Sequence, residues 1–260
     1  MIWNINEFVL FGAFLGFFLV VVEASFRLGH RMSEGSDNDS KKHVGALQAA
    51  ALMLLALLLG FSFAMAVSRF DARKELVVEE ANAIGTTFLR SLYLPEPQRQ
   101  EIAALLQSYV SARLAFYDAG IDPMRLDAAN KEASRIEKQM WGLTAELAAK
   151  ESQSVPLGLF LASMNEVLDD NERRLAALQN HVPDVVIVLL LSVSAVALGI
   201  MAYGCGLSRQ RRFAMNAVFV LLIAMVITVI LDMDRPRRGL VRVSQDSMIR
   251  LKATIEDVRR

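Results

Sequence analysis

Residues 44–67 read VGALQAAALMLLALLLGFSFAMAV, and residues 68–94 continue as SRFDARKELVVEEANAIGTTFLRSLYL. The first segment is apolar enough to cross the ~30 Å hydrocarbon core of a bilayer, which takes about 20 helical residues. The second segment is too charged for lipid, yet no proline interrupts the helical pattern between the two. This pattern predicts one long helix that leaves the membrane and continues into water.

An apolar stripe follows the charged part of this helix. Val77, Ala81, Ile84 and Phe88 are separated by steps of four, three and four residues, which places them on one helical face. We expect this stripe to pack against other helices outside the membrane.

A collar of charged residues marks the membrane exit. It consists of Arg69, Asp71, Arg73, Glu75, Glu79 and Glu80. Asp71, Glu75 and Glu79 repeat every four residues, and like charges at this spacing repel one another. The acidic face therefore needs a cationic partner.

Three further segments are long and apolar enough to span a bilayer, at about 5–28, 184–207 and 213–231. Together with 44–67 they give four spans, in agreement with a composition that is 54% hydrophobic. The first segment lacks the basic start and the small-residue cleavage site of a secretory signal peptide, so we interpret it as a retained span.

Residues 68–182, between spans 2 and 3, predict a helical bundle. Leu94-Pro95 ends the long helix, a second helix follows at about 96–119, Asp122-Pro123 begins a third, and Val155-Pro156 begins a fourth. We expect an antiparallel four-helix bundle. The predicted fold is thus all-α and polytopic, with spans 1 and 2 in 1–67, the bundle in 68–182, spans 3 and 4 in 183–231, and a basic tail in 232–260.

The third and fourth bundle helices each carry a heptad-like seam. The third seam comprises Leu126, Ala129, Ala133, Ile136, Met140, Leu143 and Leu147. The fourth comprises Leu157, Leu161, Met164, Leu168, Asn171, Leu175, Leu178 and Val182, with Asn171 as its polar member. The two seams are the predicted buried faces of these helices.

Span 2 has small residues at near-fourfold spacing, namely Gly45, Ala49, Ala56, Gly60 and Ala64. Small residues let helix backbones approach closely in lipid, so we expect this face to contact another helix or a second copy of the chain. Phe61 and Phe63, near the exit, are candidates for a hydrophobic constriction in a pore. Ordinary contact with lipid or a neighbouring helix is the alternative for both.

A basic block follows span 4 and consists of Arg235, Arg237, Arg238 and Arg242. Two spans separate the ends of spans 2 and 4, so the collar and this block lie on the same side of the membrane. We therefore predict a brace in which these arginines contact the acidic face of the collar. The tail is predicted to be helical from about Gln245, with Met248, Leu251 and Ile255 on one side.

The charges of the connectors predict an orientation in a bacterial inner membrane. Arg27, Arg31, Lys41 and Lys42 lie around the connector after span 1, and the turn after span 3, SRQRR, is purely basic. Short basic connectors favour the cytoplasm, so we expect the bundle and both termini outside it. Basic residues at the exits of spans 2 and 4 argue for the opposite orientation.

The sequence contains no motif of an enzyme or a metal site. It has no glycine-rich phosphate loop and no nucleophile motif, and its 3 histidines and single cysteine do not have zinc-site spacing. The 28 basic residues equal the 28 acidic ones, so no basic signature indicates nucleic-acid binding. We expect no catalytic activity, metal or cofactor, and the expected partners are the lipid bilayer, further copies of the chain and an inorganic ion.

Two blocks resemble a large bacterial family of four-span membrane proteins described as bestrophin-like. They are GFSFAMAVSRFDARKELVVEEANAIGTTFLR at 60–90, followed by LPEP, and DMDRPRRGLVRVSQ at 232–245. Bestrophins are pentameric chloride channels, so the resemblance implies an oligomeric anion channel with a pore lined by span 2 and with cytosolic termini. No bestrophin calcium or selectivity motif is present to carry over.

The sequence is compatible with three functional interpretations. The first is an oligomeric ion channel with span 2 near the pore, in which the acidic collar favours cations. The second is a sensor or scaffold whose helical domain binds a ligand or a partner protein without transport. The third is a structural protein in which the collar and the basic block brace the bundle on the membrane.

Overall fold

The computed structural model of the chain describes residues 6–35, 37–151, 153–235 and 239–259. Its main elements are α1 (Glu7–Arg31), α2 (Asn38–Ser91), α3 (Gln98–Asp118), α4 (Pro123–Lys150), α5 (Val155–Gln179), α6 (Asp184–Leu207), α7 (Phe213–Met233) and α8 (Asp246–Arg259). One turn of 3-10 helix, Ser33–Gly35, precedes α2. The all-α prediction is confirmed for the described residues.

The long helix predicted from 44–94 is α2, which has 54 residues and no break between its apolar and charged parts. At 1.5 Å per residue it is about 80 Å long, more than twice the thickness of a hydrocarbon core of ~30 Å. A helix of this length leaves the bilayer as an intact helix.

Helix α4 begins after its predicted cap, Asp122, and α5 begins at the predicted Val155-Pro156. Asp122 accepts hydrogen bonds from the backbone N–H groups of Met124 and Arg125, at 3.0 and 3.3 Å, and Pro123 occupies the first helical turn. Ser154 accepts from the N–H of Leu157 at 3.4 Å. In both cases a short polar side chain satisfies an N–H group that has no partner within the helix.

The chain divides into two compact units. The membrane unit contains residues 6–68 and 181–235, and the helical unit contains residues 69–180 and 239–259. Four helices are long and apolar enough to cross a membrane, namely α1, the first part of α2, α6 within the stretch 155–207, and α7. The four predicted spans are thereby confirmed by length and composition.

Two glycines bring α1 and α6 into backbone contact in the membrane unit. A Cβ atom on Gly29 would lie 2.3 Å from the carbonyl oxygen of Tyr203, and one on Gly206 would lie 2.4 Å from that of Phe26. Neither position has room for a larger residue. Close backbone approach at glycine is a common way for helices to associate in lipid.

The core of the helical unit is formed by the second part of α2 together with α3, α4, α5 and α8. The predicted α2 stripe is buried at Val77, Ala81, Ile84 and Phe88. The C-terminal tail, which the sequence suggested as a separate basic segment, supplies two fully buried residues, Met248 and Ile255, to the same core. Gly85 accommodates α8, because a Cβ atom there would lie 3.3 Å from Leu251.

The buried face of α5 differs from the predicted seam. Leu157, Met164 and Asn171 are buried as expected. The buried residues three positions after each of them are Phe160, Val167 and Arg174 rather than leucines. The leucines predicted for those positions, Leu161, Leu168 and Leu175, are only partly buried. Arg174 on this face forms a buried ion pair with Glu80 inside the unit, and apolar periodicity does not mark a charged residue as buried.

We expect Gly206→Ala to destabilise the membrane unit by about 1–3 kcal/mol, because an added methyl group must push two backbones apart. The expected measurement is a lower midpoint of thermal unfolding in detergent. Gly16→Ala is the control, since Gly16 is also in a membrane helix but has nothing within 4 Å of its Cβ position. Equal midpoints for the two variants would contradict the backbone contact.

Candidate functional site

The span of α2 presents Phe61 and Phe63 on different sides. Both are exposed within the chain, at 65% and 42%, whereas Leu55, Ser62 and Ala66 are buried on the third side. Residues two apart on a helix point about 200° from each other, so the two rings cannot face one axis together. At most one of the two predicted constriction residues can therefore line a pore.

Two exposed strips run along this span. Larger side chains form the first, which consists of Leu47, Leu54, Leu57, Phe61 and Met65. Small residues form the second, which consists of Gly45, Ala49, Ala56, Gly60 and Ala64. The small-residue strip allows close approach of another helix, and the strip with Phe61 presents bulky apolar groups at steps of three, four and seven residues.

The residues of the predicted charged collar lie on different sides of α2, some exposed and some buried. Asp71, Glu75 and Glu79 are exposed, and Arg69 is partly exposed. Arg73 and Glu80 are buried in the helical unit. Successive helical residues point about 100° apart, so a run of charges contributes both to the surface and to the core. The exposed collar is therefore smaller and more acidic than the sequence suggested.

Arg73 binds the end of α5. Its Nε donates to the carbonyl oxygen of Ala177 at 3.0 Å, and its Nη2 donates to that of Asn180 at 2.8 Å. The last carbonyls of a helix have no partner within it and carry partial negative charge. Arg73 thus joins α2 to α5 through main-chain acceptors.

Glu80 lies at the centre of a buried ion cluster. Its Oε1 accepts from Nε of Arg113 at 2.6 Å, and its Oε2 pairs with Nη1 of Arg174. Nη2 of Arg174 donates to Gln245, at 3.2 Å, in the segment that leads into α8. The cluster joins α2, α3 and α5 through one carboxylate with two guanidinium groups. Glu80 belongs to the predicted collar, whereas neither arginine was predicted from the sequence.

Arg113 keeps its charge in this environment. Burial is the largest effect and acts to lower its pKa, but the charge and hydrogen bond of Glu80, together with Tyr109 and Glu137, raise the pKa of the guanidinium above its ordinary value. Its two terminal nitrogens are buried and have no hydrogen-bond acceptor among the described residues. The guanidinium carbon lies 5.5 Å from the centre of the Phe116 ring, which supplies a cation–π contact.

A second polar group lies beside this cluster. Oε1 of Glu137 accepts from the hydroxyl of Tyr109 at 3.0 Å and from Nδ2 of Asn171 at 2.9 Å. Burial raises the pKa of the Glu137 carboxyl, against the opposing effects of Tyr109 and the charge of Arg113. Burial also raises the pKa of Tyr109 well above its ordinary value, so its hydroxyl stays protonated and donates. These contacts join α3, α4 and α5.

The basic block after span 4 is only partly described. Arg235 is buried, and Nε of Arg242 donates to the carbonyl oxygen of Gly239 at 3.3 Å. Arg237 and Arg238 lie outside the described residues, so the brace between this block and the acidic collar stays a prediction.

The acid at the end of α7 has a partner that the sequence did not indicate. The carboxylate of Asp234 accepts from the backbone N–H of Val182 at 2.6 Å and lies 3.5 Å from Nδ1 of His181. The fully buried Asp234 thereby joins the end of α7 to the chain just before α6. Within the described ranges, no cluster of three or more His, Cys, Asp or Glu could hold a metal ion.

Four apolar spans with a helical unit between the second and third define a polytopic membrane protein. The family model of the Bestrophin-like domain matches residues 12–248. The chain therefore belongs to the Bestrophin-like family, as its two sequence blocks predict, and it is an integral membrane protein of the bestrophin-like type.

Solved structures show the same fold. A bacterial bestrophin homolog from Klebsiella pneumoniae aligns with a TM-score of 0.67 at 15% identity, covering 92% of this chain and 96% of the homolog. A single-residue variant of that homolog aligns with a TM-score of 0.66 at 14% identity, covering 94% and 97% of the two chains. No curated protein sequence matches significantly.

We expect Glu80→Gln to destabilise the helical unit by about 3–5 kcal/mol, because it leaves two buried arginines without their counter-ion. The amide oxygen can still accept from one arginine, but the amide nitrogen is a donor and faces the other, so the variant loses the charge and one hydrogen bond. The measurement is the midpoint of thermal unfolding in detergent.

Glu79→Gln is the matched control for this variant. It removes the same charge one residue away, on the exposed side of α2, and should change stability by less than about 0.5 kcal/mol. A similar loss in both variants would show that the buried cluster contributes no special stability.

Proposed function

We propose that the chain is a subunit of a homo-oligomeric ion channel in the bacterial inner membrane, with the spans of α2 surrounding the conduction axis. The observation that carries this proposal is the poor burial of α2. Only 17% of its most apolar window is buried within the chain, against 22% for the window of the first span and 39% for those of the third and fourth spans. Membership of the Bestrophin-like family supports the same function.

The two exposed strips of α2 suggest how copies would assemble. The small-residue strip fits against a helix of a neighbouring copy, where Gly45 and Gly60 allow close approach. The larger strip then faces the axis. Phe61 lies on it, flanked one turn away by Leu57 and Met65, and a ring of such groups from several copies forms a constriction that opens and closes by wetting. Phe63 points away from this strip.

The exposed acids beyond the span bear on ion selectivity. Asp71, Glu75 and Glu79 form an acidic face on the continuation of the pore helix, and acidic rings attract cations. The likeness to bestrophins, which are chloride channels, supports anions instead. The reversal potential under a potassium chloride gradient separates the two, because its sign gives the charge of the preferred ion.

We expect Phe61→Ala to raise single-channel conductance in liposomes or planar bilayers, because it removes the widest apolar group from the constriction. Phe219→Ala is the control, since Phe219 is an exposed phenylalanine on α7, and its conductance should equal that of the parent protein. An absence of ion-selective conductance from the purified parent protein would refute the channel. Equal conductance in the parent and the Phe61 variant would refute only the position of the constriction.

We further propose that the connectors after α1 and α6 face the cytoplasm. Arg209 and Arg211 in the second connector and Arg31 at the end of α1 support this orientation, because short basic connectors are retained inside. The helical unit would then lie outside the cytoplasm, contrary to the cytosolic termini that the bestrophin resemblance implies.

Labelling of an introduced cysteine tests this orientation. With Cys205→Ala as background, Asp127→Cys places a single thiol on the exposed surface of α4. We expect a membrane-impermeant maleimide to label it in intact spheroplasts. Lys41→Cys is the reciprocal control and should react only after the membrane is permeabilised. The reverse pattern would establish a cytoplasmic helical unit.

A further inference from the structure

A groove in the membrane unit lies between α1 and α7. It has a volume of about 750 Å³ and is open to the surroundings of the chain. Leu19, Val20 and Leu28 of α1 and Phe213 of α7 form apolar walls. This α1–α7 groove is not used by the proposed conduction pathway, which involves α2.

The polar groups of the groove are concentrated towards the end of α1. Arg31 lies in the last turn of α1, Arg27 one turn before it and Glu23 one turn further, whereas Leu19 and Val20 lie at the far end. Eleven residues separate Val20 from Arg31, which is about 16 Å along a helix at 1.5 Å per residue. One leaflet of hydrocarbon is about 15 Å thick. The groove therefore has a charged mouth, an apolar wall and the length of one leaflet.

The mouth has an excess of positive charge. Glu23 accepts from Nε of Arg27 at 2.7 Å and from Nη2 of Arg211 at 3.2 Å, so one carboxylate is shared by two guanidinium groups. Arg31 and Arg212 add further positive charge at the same end of the unit. Glu23 holds the side chain of Arg27 at the groove without cancelling the charge of the whole mouth.

A buried amide completes the groove. Asn216, in the first turn of α7, lines the wall although it is almost fully buried. A polar side chain at this depth is costly in hydrocarbon unless it finds a hydrogen-bond partner. The ester carbonyls of a phospholipid lie just below its phosphate and can accept from such an amide.

We propose that the α1–α7 groove binds an anionic phospholipid, with the phosphate at Arg27 and Arg31, the ester region near Asn216 and one acyl chain along Leu19 and Val20. Charge complementarity selects the headgroup, since basic pockets between transmembrane helices recognise anionic lipid headgroups. A second copy of the chain is a poorer occupant, because packing it there would take the arginines of the mouth out of water.

The test measures lipid retained by the purified full-length protein. Native mass spectrometry from detergent is carried out with phosphatidylglycerol or phosphatidylcholine of identical acyl chains. We expect the parent protein to retain phosphatidylglycerol preferentially. Inorganic phosphate at the same concentration should leave that preference unchanged, because it lacks the acyl chain.

The double variant Arg27→Gln/Arg31→Gln should bind phosphatidylglycerol about 25-fold more weakly, since each arginine near a headgroup contributes about a fivefold gain in affinity. The double variant Arg99→Gln/Arg135→Gln is matched to it. It removes two exposed arginines that pair with Glu96 and Glu132 in the helical unit, and it should keep the affinity of the parent.

A third variant tests the groove without changing its charge. Ala24→Trp fills the space beside Glu23 and should reduce retention of both lipids. Unchanged retention in the Arg27/Arg31 variant, or equal losses in both double variants, would overturn the proposal. So would an Ala24→Trp variant that alters the oligomeric state and leaves lipid retention intact, since the groove would then be a subunit contact. None of these measurements depends on ion conduction.

Discussion

Glu80 lies without solvent exposure between Arg113 and Arg174, and the helical unit is arranged so that this charge is neutralised. Transfer of an ion into a protein interior costs several kcal/mol, which is more than most single apolar contacts return. A rotation of α2 by one residue would move the carboxylate by about 100° and separate it from both guanidinium groups. The ion cluster therefore acts together with the apolar stripe in fixing the register of α2 against α3 and α5.

Much of the fold follows from the sequence because it rests on local and periodic signals. The four spans are set by apolar length, the start of α4 by Asp122-Pro123 and the start of α5 by Val155-Pro156. The face of α5 could not be found this way, because apolar periodicity ranks leucines above charged residues. The sequence nevertheless contains a signal for this buried face, in the spacing of three charged residues. Arg113 and Arg174 occupy core spacing in their helices, and Glu80 does so in α2 with the opposite charge.

The membrane face of α2 is harder to interpret for a different reason. In lipid, a side chain that faces acyl chains and one that faces another helix are both in apolar surroundings, so hydropathy does not separate them. Helical geometry does separate them in part. Phe61 and Phe63 seemed equivalent by composition and by nearness to the exit, yet a spacing of two residues places them on different sides.

The contact of α1 with α6 at Gly29 and Gly206 has a mechanical consequence. Sliding or rolling one of these helices past the other would drive a side chain into the carbonyl of Phe26 or Tyr203. Interfaces packed this closely are not continuously deformable, so α1 and α6 should move as one rigid body. The span of α2 rests on the membrane unit through a much narrower buried face, chiefly Leu55, Ser62 and Ala66. In a conformational change of the membrane unit, α2 would therefore be the helix that moves. Helices α1 and α6 would keep their positions relative to each other.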